Sequence, residues 1–302
     1  MKSKLLEVIG KRLASGIPEI SGQRAWEEAR DIVEHVQALR QGEHVFRGIH
    51  VTSLEETIDR LVDVRIEEQV PVAYITGYAH FWMQKYKVTP DVLIPRPCSE
   101  ILVETAVKTL GQNNANSPGV LDLGTGSGCL LLSTLCEVQS ANGVGVDISA
   151  GALKFAKANA GSLGLGDRCT FLQANFMHVE ELEVALGNWA FDQNLAAFSA
   201  VLCNPPYITK EEMGELSRTV RDFEPNSALY GGPDGLDCYR QVAKRVKGLK
   251  NRNLIEPGAN VIIEAGAGQA QSIVEIFEEI GITDRNIAKD LAGIDRCVVV
   301  QV

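Results

Sequence analysis

The sequence lacks an excess of basic residues, a long apolar run and any closely spaced pair of cysteines or histidines. Its 302 residues include 29 lysines and arginines against 39 aspartates and glutamates, which gives a net charge of −10. This balance argues against a protein that binds nucleic acid mainly through phosphates. Because no apolar run reaches membrane-spanning length and no secretory leader follows Met1, we expect a cytoplasmic protein without a membrane segment.

The seven cysteines are scattered, odd in number and never spaced as Cys-x-x-Cys. This usage is typical of a reducing compartment in which thiols serve as small buried apolar side chains. The five histidines show no spacing typical of a zinc site, so we predict no bound metal.

Apolar periodicity divides the chain into three parts. Residues 1–72 carry apolar side chains at helical spacing and predict a small bundle, with Ser53 as the N-cap of one helix. Its chemistry leaves open whether it docks a partner or only caps the fold. Residues 73–98 predict a connecting β-hairpin, and residues 99–302 alternate between strand and helix patterns. The polar stretch 111–118 is predicted to be a loop.

A buried strand that breaks into a glycine-rich turn is the first functional motif. The strand Val120–Leu123 leads into Gly124-Thr-Gly-Ser-Gly128, and a helix is predicted over Cys129–Val138. Asp147 ends the next strand, about twenty residues further on. This layout is typical of the nucleoside-binding half of a doubly wound α/β sheet, in which the acid binds the ribose hydroxyls.

Two details favour S-adenosylmethionine over a dinucleotide as the nucleoside. The glycines are spaced G-x-G-x-G rather than G-x-G-x-x-G. In addition, Asp122 precedes the turn, where a carboxylate attracts a cationic amino group and repels a pyrophosphate.

The second motif is Asn204-Pro-Pro-Tyr207, which follows the apolar run Ala200–Cys203. The prolines end the predicted strand, and Asn204 then presents an amide oxygen and an amide NH2 at its carboxyl end. Pro206 restricts the backbone before it, so the carbonyl of Pro205 is free to accept a hydrogen bond. Two acceptors beside the flat face of Tyr207 suit a planar NH2 group, either an amide or a base amine.

Repeated α/β alternation predicts a largely parallel sheet with right-handed crossovers. If the strand before Gly124 and the strand before Asn204 are neighbours, both motifs face one crevice. A methyl donor and an NH2 acceptor would then meet there. Arg96, held in an extended backbone between two prolines, predicts either a guanidinium aimed in one direction or a salt bridge that pins the hairpin.

With these motifs assembled, the chain resembles the class I S-adenosylmethionine-dependent methyltransferases. More narrowly, it resembles the glutamine N5-methyltransferases that modify the Gly-Gly-Gln tripeptide of peptide chain release factors. The resemblance runs from about Pro71 to the C-terminus. The segments that carry it are Tyr74–Gly77, Leu93–Pro97 with Glu100, Asp122–Gly128, Asp147–Ser149, Asn204–Tyr207, Phe223–Pro225, Gly232–Leu236, Glu264 with Gln269, Asp290–Gly293 and Asp295–Arg296.

The resemblance implies a mostly parallel seven-stranded sheet, a helical N-terminal domain that docks the release factor, and S-adenosyl-L-methionine as methyl donor, with S-adenosyl-L-homocysteine as product. With Asp122 from the motif above, the predicted cofactor-binding residues are Asp122, Gly124, Thr125, Gly126, Ser127, Gly128, Asp147, Phe176 and Asn204. The implied catalytic residues are Asn204, Pro205, Pro206 and Tyr207. We expect a monomer that contacts neither membrane nor nucleic acid.

The chain departs from the family pattern at two places. Cys98-Ser99 stands where the family usually has Asp-Thr, and Asn175 stands where it usually has Asp. We expect the second change to reshape the adenine contact, and neither change to touch the residues that hold the substrate amide.

Three other functions share parts of this pattern. A related methyltransferase modifies a glutamine of ribosomal protein L3 and has the same core motifs. An adenine-N6 methyltransferase of DNA or RNA would also use Asn204-Pro-Pro-Tyr207, but it needs a basic face that this composition disfavours. A non-catalytic binding module is disfavoured because Asp122, Asp147 and Asn204 are all present.

Overall fold

The computed structural model describes residues 2–112, 117–177, 182–184, 186–187 and 197–302. It divides the chain into two compact units. The helical unit comprises Met1–Tyr78, Val88–Pro90 and Leu216–Phe223, and the sheet unit comprises Ala79–Lys87, Asp91–Glu215 and Glu224–Val302. The middle of the predicted loop 111–118 lies outside the described residues.

The helical unit forms because apolar side chains recur on one face of each helix. Its helices are α1 (Lys2–Gly16), α2 (Gly22–Ala38), α3 (Leu54–Asp63) and α4 (Val72–Thr76), and its short hairpin is β1 (His44–Phe46) and β2 (Ile49–His50). The buried face of α2 carries Ala25, Ala29, Ile32, Val33 and Val36. Ser53 caps α3 as predicted, because its hydroxyl accepts the backbone N–H of Glu56 at 3.2 Å.

A buried ion pair lies inside the helical unit. One π-helical turn, Val64–Glu68, follows α3 and carries Arg65, whose Nε donates to Oε2 of Glu28 at 2.8 Å. Both residues are almost fully buried. Arg65 Nη1 also donates to the hydroxyl of Thr219 at 3.3 Å, so the late segment Leu216–Phe223 is held within this unit.

Two local predictions differ from the structure. The start of the predicted hairpin, Val72–Thr76, is the short helix α4, which ends at Gly77 with φ 75°. The hairpin itself is confined to β3 (Tyr78–Phe81) and β4 (Gln84–Lys87). The hairpin β1–β2 falls inside the stretch predicted to be wholly helical.

The sheet unit contains a seven-stranded, mostly parallel sheet, as predicted. The strands are β5 (Gly119–Leu123), β6 (Asn142–Asp147), β7 (Cys169–Gln173), β8 (Phe198–Cys203), β9 (Ile255–Glu264), β10 (Arg285–Lys289) and β11 (Asp295–Gln301). Their order is β10-β11-β9-β8-β5-β6-β7, and the pairs formed by β11 with β9 and β10 are antiparallel. The helices of this unit include α5 (Glu100–Gln112), α6 (Cys129–Glu137), α7 (Ala150–Ser162), α8 (Lys210–Glu215), α10 (Asp237–Asn251) and α11 (Ala270–Glu279), while α9 (Arg218–Arg221) belongs to the helical unit.

Successive side chains of each strand point to opposite faces of the sheet, and helices pack against both faces. Leu121 and Leu123 belong to one apolar cluster, which includes residues of α10 and α11. Val120 and Leu202 belong to a second cluster with residues of α5, α6 and α7. No helix in the described part of the chain is long and apolar enough to cross a membrane.

The register of β5 and β8 decides where the site lies. The two strands are parallel neighbours, and Leu123 is opposite Cys203. Gly124 and Asn204, the next residue of each strand, therefore leave the sheet side by side at its carboxyl edge. The two strands are therefore neighbours, which is the condition under which the sequence places both motifs in one crevice.

Candidate active site

The glycine turn after β5 has a backbone that only glycine adopts easily. Gly124, Gly126 and Gly128 have φ values of 76°, 55° and 82°, in the left-handed region that disfavours side chains. The N–H groups of Gly124 and Thr125 donate to the carbonyl of Val146 at 2.8 and 2.9 Å. A Cβ placed on Gly126 would meet no atom within 4 Å, so this side of the turn is open.

Asp147 stands at the end of the neighbouring strand β6 and faces the same space. Its Oδ2 accepts the N–H of Gly126 and its Oδ1 accepts the N–H of Ser149, both at 2.9 Å. Burial raises the pKa of Asp147, while the hydrogen bonds from Ser149 and Gly126 oppose that rise. The carboxylate is thus fixed in orientation and keeps lone pairs for a ligand hydroxyl.

Asp122 lies beneath the glycine turn rather than in the open space. It is fully buried, and its Oδ2 accepts the hydroxyl of Thr125 at 2.6 Å. Burial raises its pKa to about 7, against the hydrogen bond from Thr125. The structure therefore places Asp122 where it supports the turn, whereas the sequence suggested direct contact with an amino group of the ligand.

A cavity of about 300 Å³ opens over the turn, and all its lining residues belong to the sheet unit. The predicted site residues that line it are Gly124, Thr125, Gly126, Ser127, Asp147, Phe176, Asn204 and Pro206. Four predicted residues do not line it: Asp122, Gly128, Pro205 and Tyr207. Gly128 acts instead as the N-cap residue of α6.

One wall of the cavity is apolar and aromatic. Phe176 lines it beside Ile148 and Met177. Asn175 also lines the cavity, and its Oδ1 accepts the N–H of Met177 at 2.9 Å, which fixes the turn that carries Phe176. Ile148 was not predicted from the sequence, although its position directly after Asp147 could have indicated it.

Asn204 is oriented by Ser99, the residue before α5. Asn204 Nδ2 donates to the hydroxyl oxygen of Ser99 at 3.3 Å. The two ends of an amide point in opposite directions, so Oδ1 is turned away from Ser99. The expectation that the Cys98-Ser99 departure leaves the amide-holding residues untouched is therefore wrong, because Ser99 contacts the first of them.

The remaining motif residues are packed tightly under a glycine-rich loop. A Cβ on Gly231 would lie 2.5 Å from Cα of Tyr207, and a Cβ on Gly235 would lie 2.4 Å from its carbonyl oxygen. Gln269 Nε2 donates to that same carbonyl at 3.1 Å. Pro205 is buried. Sequence reasoning had assigned no role to these two glycines or to Gln269.

Arg96 forms an ion pair at the edge of the cavity. Its Nη2 forms an ion pair with Oε1 of Glu224 at 2.5 Å, and the residue also lines the cavity. Glu224 accepts the N–H of Ile94 as well, at 3.3 Å. Burial raises the pKa of Glu224, against the positive charge of Arg96. The guanidinium is therefore held in place with donors left for other partners.

These features fit S-adenosylmethionine. The open glycine turn leaves room for a ligand where a Cβ would otherwise project, Asp147 offers acceptors for ribose hydroxyls, and the wall at Phe176 and Ile148 suits an adenine ring. Within the described ranges, no three histidine, cysteine, aspartate or glutamate side chains are grouped so that they could hold a metal ion.

Comparison with known proteins identifies a methyltransferase fold. A methyltransferase domain family matches residues 116–232. The catalytic domain of hMettl16, in complex with MAT2A 3'UTR hairpin 1, superposes with a TM-score of 0.53 at 14% identity and covers 97% of this chain and 90% of its own. At that identity the likeness extends to the fold alone.

Two relatives are more similar in sequence. The release factor glutamine methyltransferase of Rhodospirillum rubrum is 36% identical over 273 residues, which cover 90% of this chain and 77% of that protein. The release factor glutamine methyltransferase of Caulobacter vibrioides is 34% identical over 274 residues, which cover 90% and 88%. Because these similarities extend over most of each protein, the chain belongs to the release factor glutamine methyltransferase family.

Proposed function

We infer that the protein transfers a methyl group from S-adenosylmethionine to the side-chain amide nitrogen (N5) of a glutamine, in the Gly-Gly-Gln tripeptide of a peptide chain release factor. The single observation that supports this best is the placement of Asn204 beside the glycine turn in one cavity. The same cavity therefore contains a turn that can bind a nucleoside and an acceptor for a planar NH2 group. A substrate from the translation machinery also implies a cytoplasmic location.

The residues that would hold the cofactor follow from the cavity wall. The turn Gly124–Ser127 would surround its amino acid part, Asp147 would accept hydrogen bonds from the ribose, and Phe176 would lie against the adenine. When bound, S-adenosylmethionine supplies an electrophilic methyl group on a positively charged sulfur.

The substrate amide needs help, because its nitrogen lone pair is delocalised into the carbonyl. Asn204 lines the cavity, and its Oδ1 would accept one of the two N–H bonds and hold the nitrogen in one orientation. Such placement of two reacting groups provides roughly 7–11 kcal/mol of the barrier reduction in favourable cases. We assign no general base among the four motif residues, and the methylated amide nitrogen then loses its proton to water.

We further propose that the helical unit docks the release factor. Trp26 on α2 is 45% exposed, and the guanidinium of Arg30 lies over its ring at 5.8 Å from the ring centre. An exposed aromatic side chain of this kind is typical of protein interfaces.

Trp26→Ala should raise KM for the intact release factor and leave KM for a Gly-Gly-Gln peptide unchanged. Equal changes for both substrates would contradict the docking role.

Methyl transfer to defined substrates tests the main proposal. The purified protein is incubated with labelled S-adenosylmethionine and a release factor, ribosomal protein L3, or adenine-containing DNA and RNA, and the modified residue is mapped. We expect label only on the release factor glutamine. A release factor with that glutamine changed to alanine is the control. Label on L3 or on adenine would assign the protein to one of those activities instead.

A further inference from the structure

A half-exposed tyrosine that has no assigned role lies in the wall of the cavity. Tyr230 is 42% exposed, and it lines the same cavity as Asn204 and Pro206. An aromatic ring with a polar tip is the kind of side chain that contacts ligands at the mouth of a site, because one face packs while the hydroxyl stays in water. The question is which of the two ligands this ring would contact.

The backbone of Tyr230 is bound to the chain just after the Asn204 motif. Ile208 directly follows that motif and forms a parallel β-bridge with Tyr230. The N–H of Ile208 donates to the carbonyl of Leu229, and its carbonyl accepts the N–H of Gly231, both at 2.9 Å. These are main-chain hydrogen bonds, so they hold position 230 beside the motif without help from the tyrosine side chain.

The strand order places Tyr230 on the substrate side of the cavity. Phe176, the other aromatic lining residue, follows β7, and β5 and β6 lie between β7 and β8. The residues proposed to hold the cofactor follow β5, β6 and β7, whereas Asn204 follows β8 and Tyr230 is bound to the segment after it. The ring of Tyr230 is therefore a candidate contact for the substrate rather than for the cofactor.

The substrate tripeptide suits a flat ring at this position. When the glutamine amide is bound at Asn204, the two glycines before the glutamine lie within about 7 Å of its Cα, because each residue adds at most about 3.6 Å. Glycine has no Cβ, so an aromatic face can lie directly against its peptide planes. A methyl group on either residue would hold the ring away.

We propose that Tyr230 is a specificity residue, whose ring packs against the two glycines that precede the substrate glutamine and disfavours residues that carry a Cβ. This inference rests on the proposed function and deepens it. Asn204 recognises an NH2 group, which every glutamine side chain presents. The contact with Tyr230 adds a reason why the protein selects a glutamine that follows two glycines.

Two forms of the release factor test this role, one with Gly-Gly-Gln and one with Gly-Ala-Gln. Tyr230→Ala should lower kcat/KM for the Gly-Gly-Gln form about tenfold, which corresponds to about 1.4 kcal/mol. The wild-type protein should prefer Gly-Gly-Gln by at least about tenfold, and Tyr230→Ala should reduce this preference to about twofold, because no ring meets the added methyl group. Tyr230→Phe keeps the ring and should retain both wild-type values.

The preference is the decisive measurement. If Tyr230→Ala lowers kcat/KM equally for both forms, the ring does not read the glycines, and the inference is overturned. Calorimetry should find the dissociation constant of S-adenosylmethionine within about twofold of wild type. A loss of cofactor affinity as large as the loss of kcat/KM would place the ring against the cofactor and would also overturn the inference.

Met83 provides a matched control for the loss of a large exposed side chain. It is fully exposed in the turn between β3 and β4 and does not line the cavity. Met83→Ala should leave both kcat/KM and the preference at wild-type values. If it changes them as much as Tyr230→Ala does, the effect is not specific to the cavity wall and the role of Tyr230 fails.

The outcomes also distinguish this inference from the proposed function. If the wild-type protein methylates neither form of the release factor, the function itself fails. If it methylates the Gly-Gly-Gln form and Tyr230→Ala has the same kcat/KM and the same preference, only the role of Tyr230 fails.

Discussion

One buried carboxylate of the helical unit and two of the sheet unit have different kinds of partner, although Glu224 of the sheet unit is also paired with an arginine. In the helical unit, Glu28 is paired with the buried guanidinium of Arg65 at 2.8 Å. In the sheet unit, Asp122 and Glu264 are equally buried but accept hydrogen bonds from neutral hydroxyl groups, and burial raises both pKa values.

The difference separates two uses of the same functional group. A paired buried carboxylate fixes two segments of the fold, and it has little capacity left for a ligand. A buried carboxylate that orients hydroxyls can position a neighbouring residue, at the cost of its own desolvation. In this chain the second kind occurs next to the glycine turn and next to the Asn204 motif.

The largest expected effect breaks the structural pair. Arg65→Ala leaves the buried Glu28 carboxylate with only the more exposed Arg24, whose Nε donates to Oε1 at 3.3 Å, so we expect the free energy of unfolding to fall by up to about 3–5 kcal/mol. Urea unfolding followed by circular dichroism measures it. The double variant Glu28→Leu with Arg65→Met should recover most of the lost free energy of unfolding. If Arg65→Ala alone causes almost no loss, the buried ion pair stabilises the fold no more than an exposed ion pair does.

The next effect concerns Asn204, which follows strand β8 at the carboxyl edge of the sheet. Asn204→Ala removes an acceptor at the reacting nitrogen, and such losses cost about 2.7–4 kcal/mol, so turnover should fall at least about a hundredfold. Single-turnover methylation of a Gly-Gly-Gln peptide measures it, and calorimetry should find S-adenosylmethionine affinity little changed. Asn204→Asp should fail as well, because its charge disrupts the amide fit. Near wild-type turnover for Asn204→Ala would contradict the proposal that Asn204 holds the substrate amide.

Asp147 provides a smaller effect on cofactor binding. Asp147→Ala should weaken S-adenosylmethionine binding by about 1.5–3 kcal/mol, because hydrogen bonds between ribose hydroxyls and a carboxylate are lost. Calorimetric titration measures this change. Asp167→Ala is the matched control, since Asp167 is exposed and does not line the cavity. Equal affinity of both variants would remove Asp147 from the site.

The last effect depends on pH and is expected for Asp122→Asn. The folded-state pKa of Asp122 is raised to about 7 from the ordinary value of 3.8, so the folded protein retains a proton that the unfolded chain has lost. Wild-type stability should therefore decline relative to Asp122→Asn as the pH rises from 3.8 to about 7. Thermal unfolding across that range measures the difference, and parallel curves for the two proteins would show that Asp122 is ionised throughout.

Sequence alone predicted the parts of the site that depend on local chain chemistry. The glycine turn needs left-handed backbone angles, so the spacing of its glycines identified it. Asn204 was found because its two prolines end a strand. The adjacency of the two motifs was only a condition at the level of sequence, and the parallel pairing of β5 with β8 in the structure meets it.

The parts that the sequence could not predict are contacts between residues far apart in the chain. Ser99 and Asn204 are 105 residues apart, and neither local spacing nor periodicity links them. The same holds for Gly235 beneath Tyr207. In the helical unit, the short helix Val72–Thr76 has β-branched and aromatic residues that favour a strand by propensity, and only its tertiary surroundings make it helical.

The segment Leu216–Phe223 has a consequence for the order in which the protein is made. It belongs to the helical unit, where Arg65 contacts Thr219 and the guanidinium of Arg47 lies over the ring of Phe223. During synthesis, a domain built from consecutive residues can fold as soon as it leaves the ribosome. Here the unit of the N-terminal helices is complete only after Phe223 has been synthesised. The first part of the chain to leave the ribosome therefore completes its folding late.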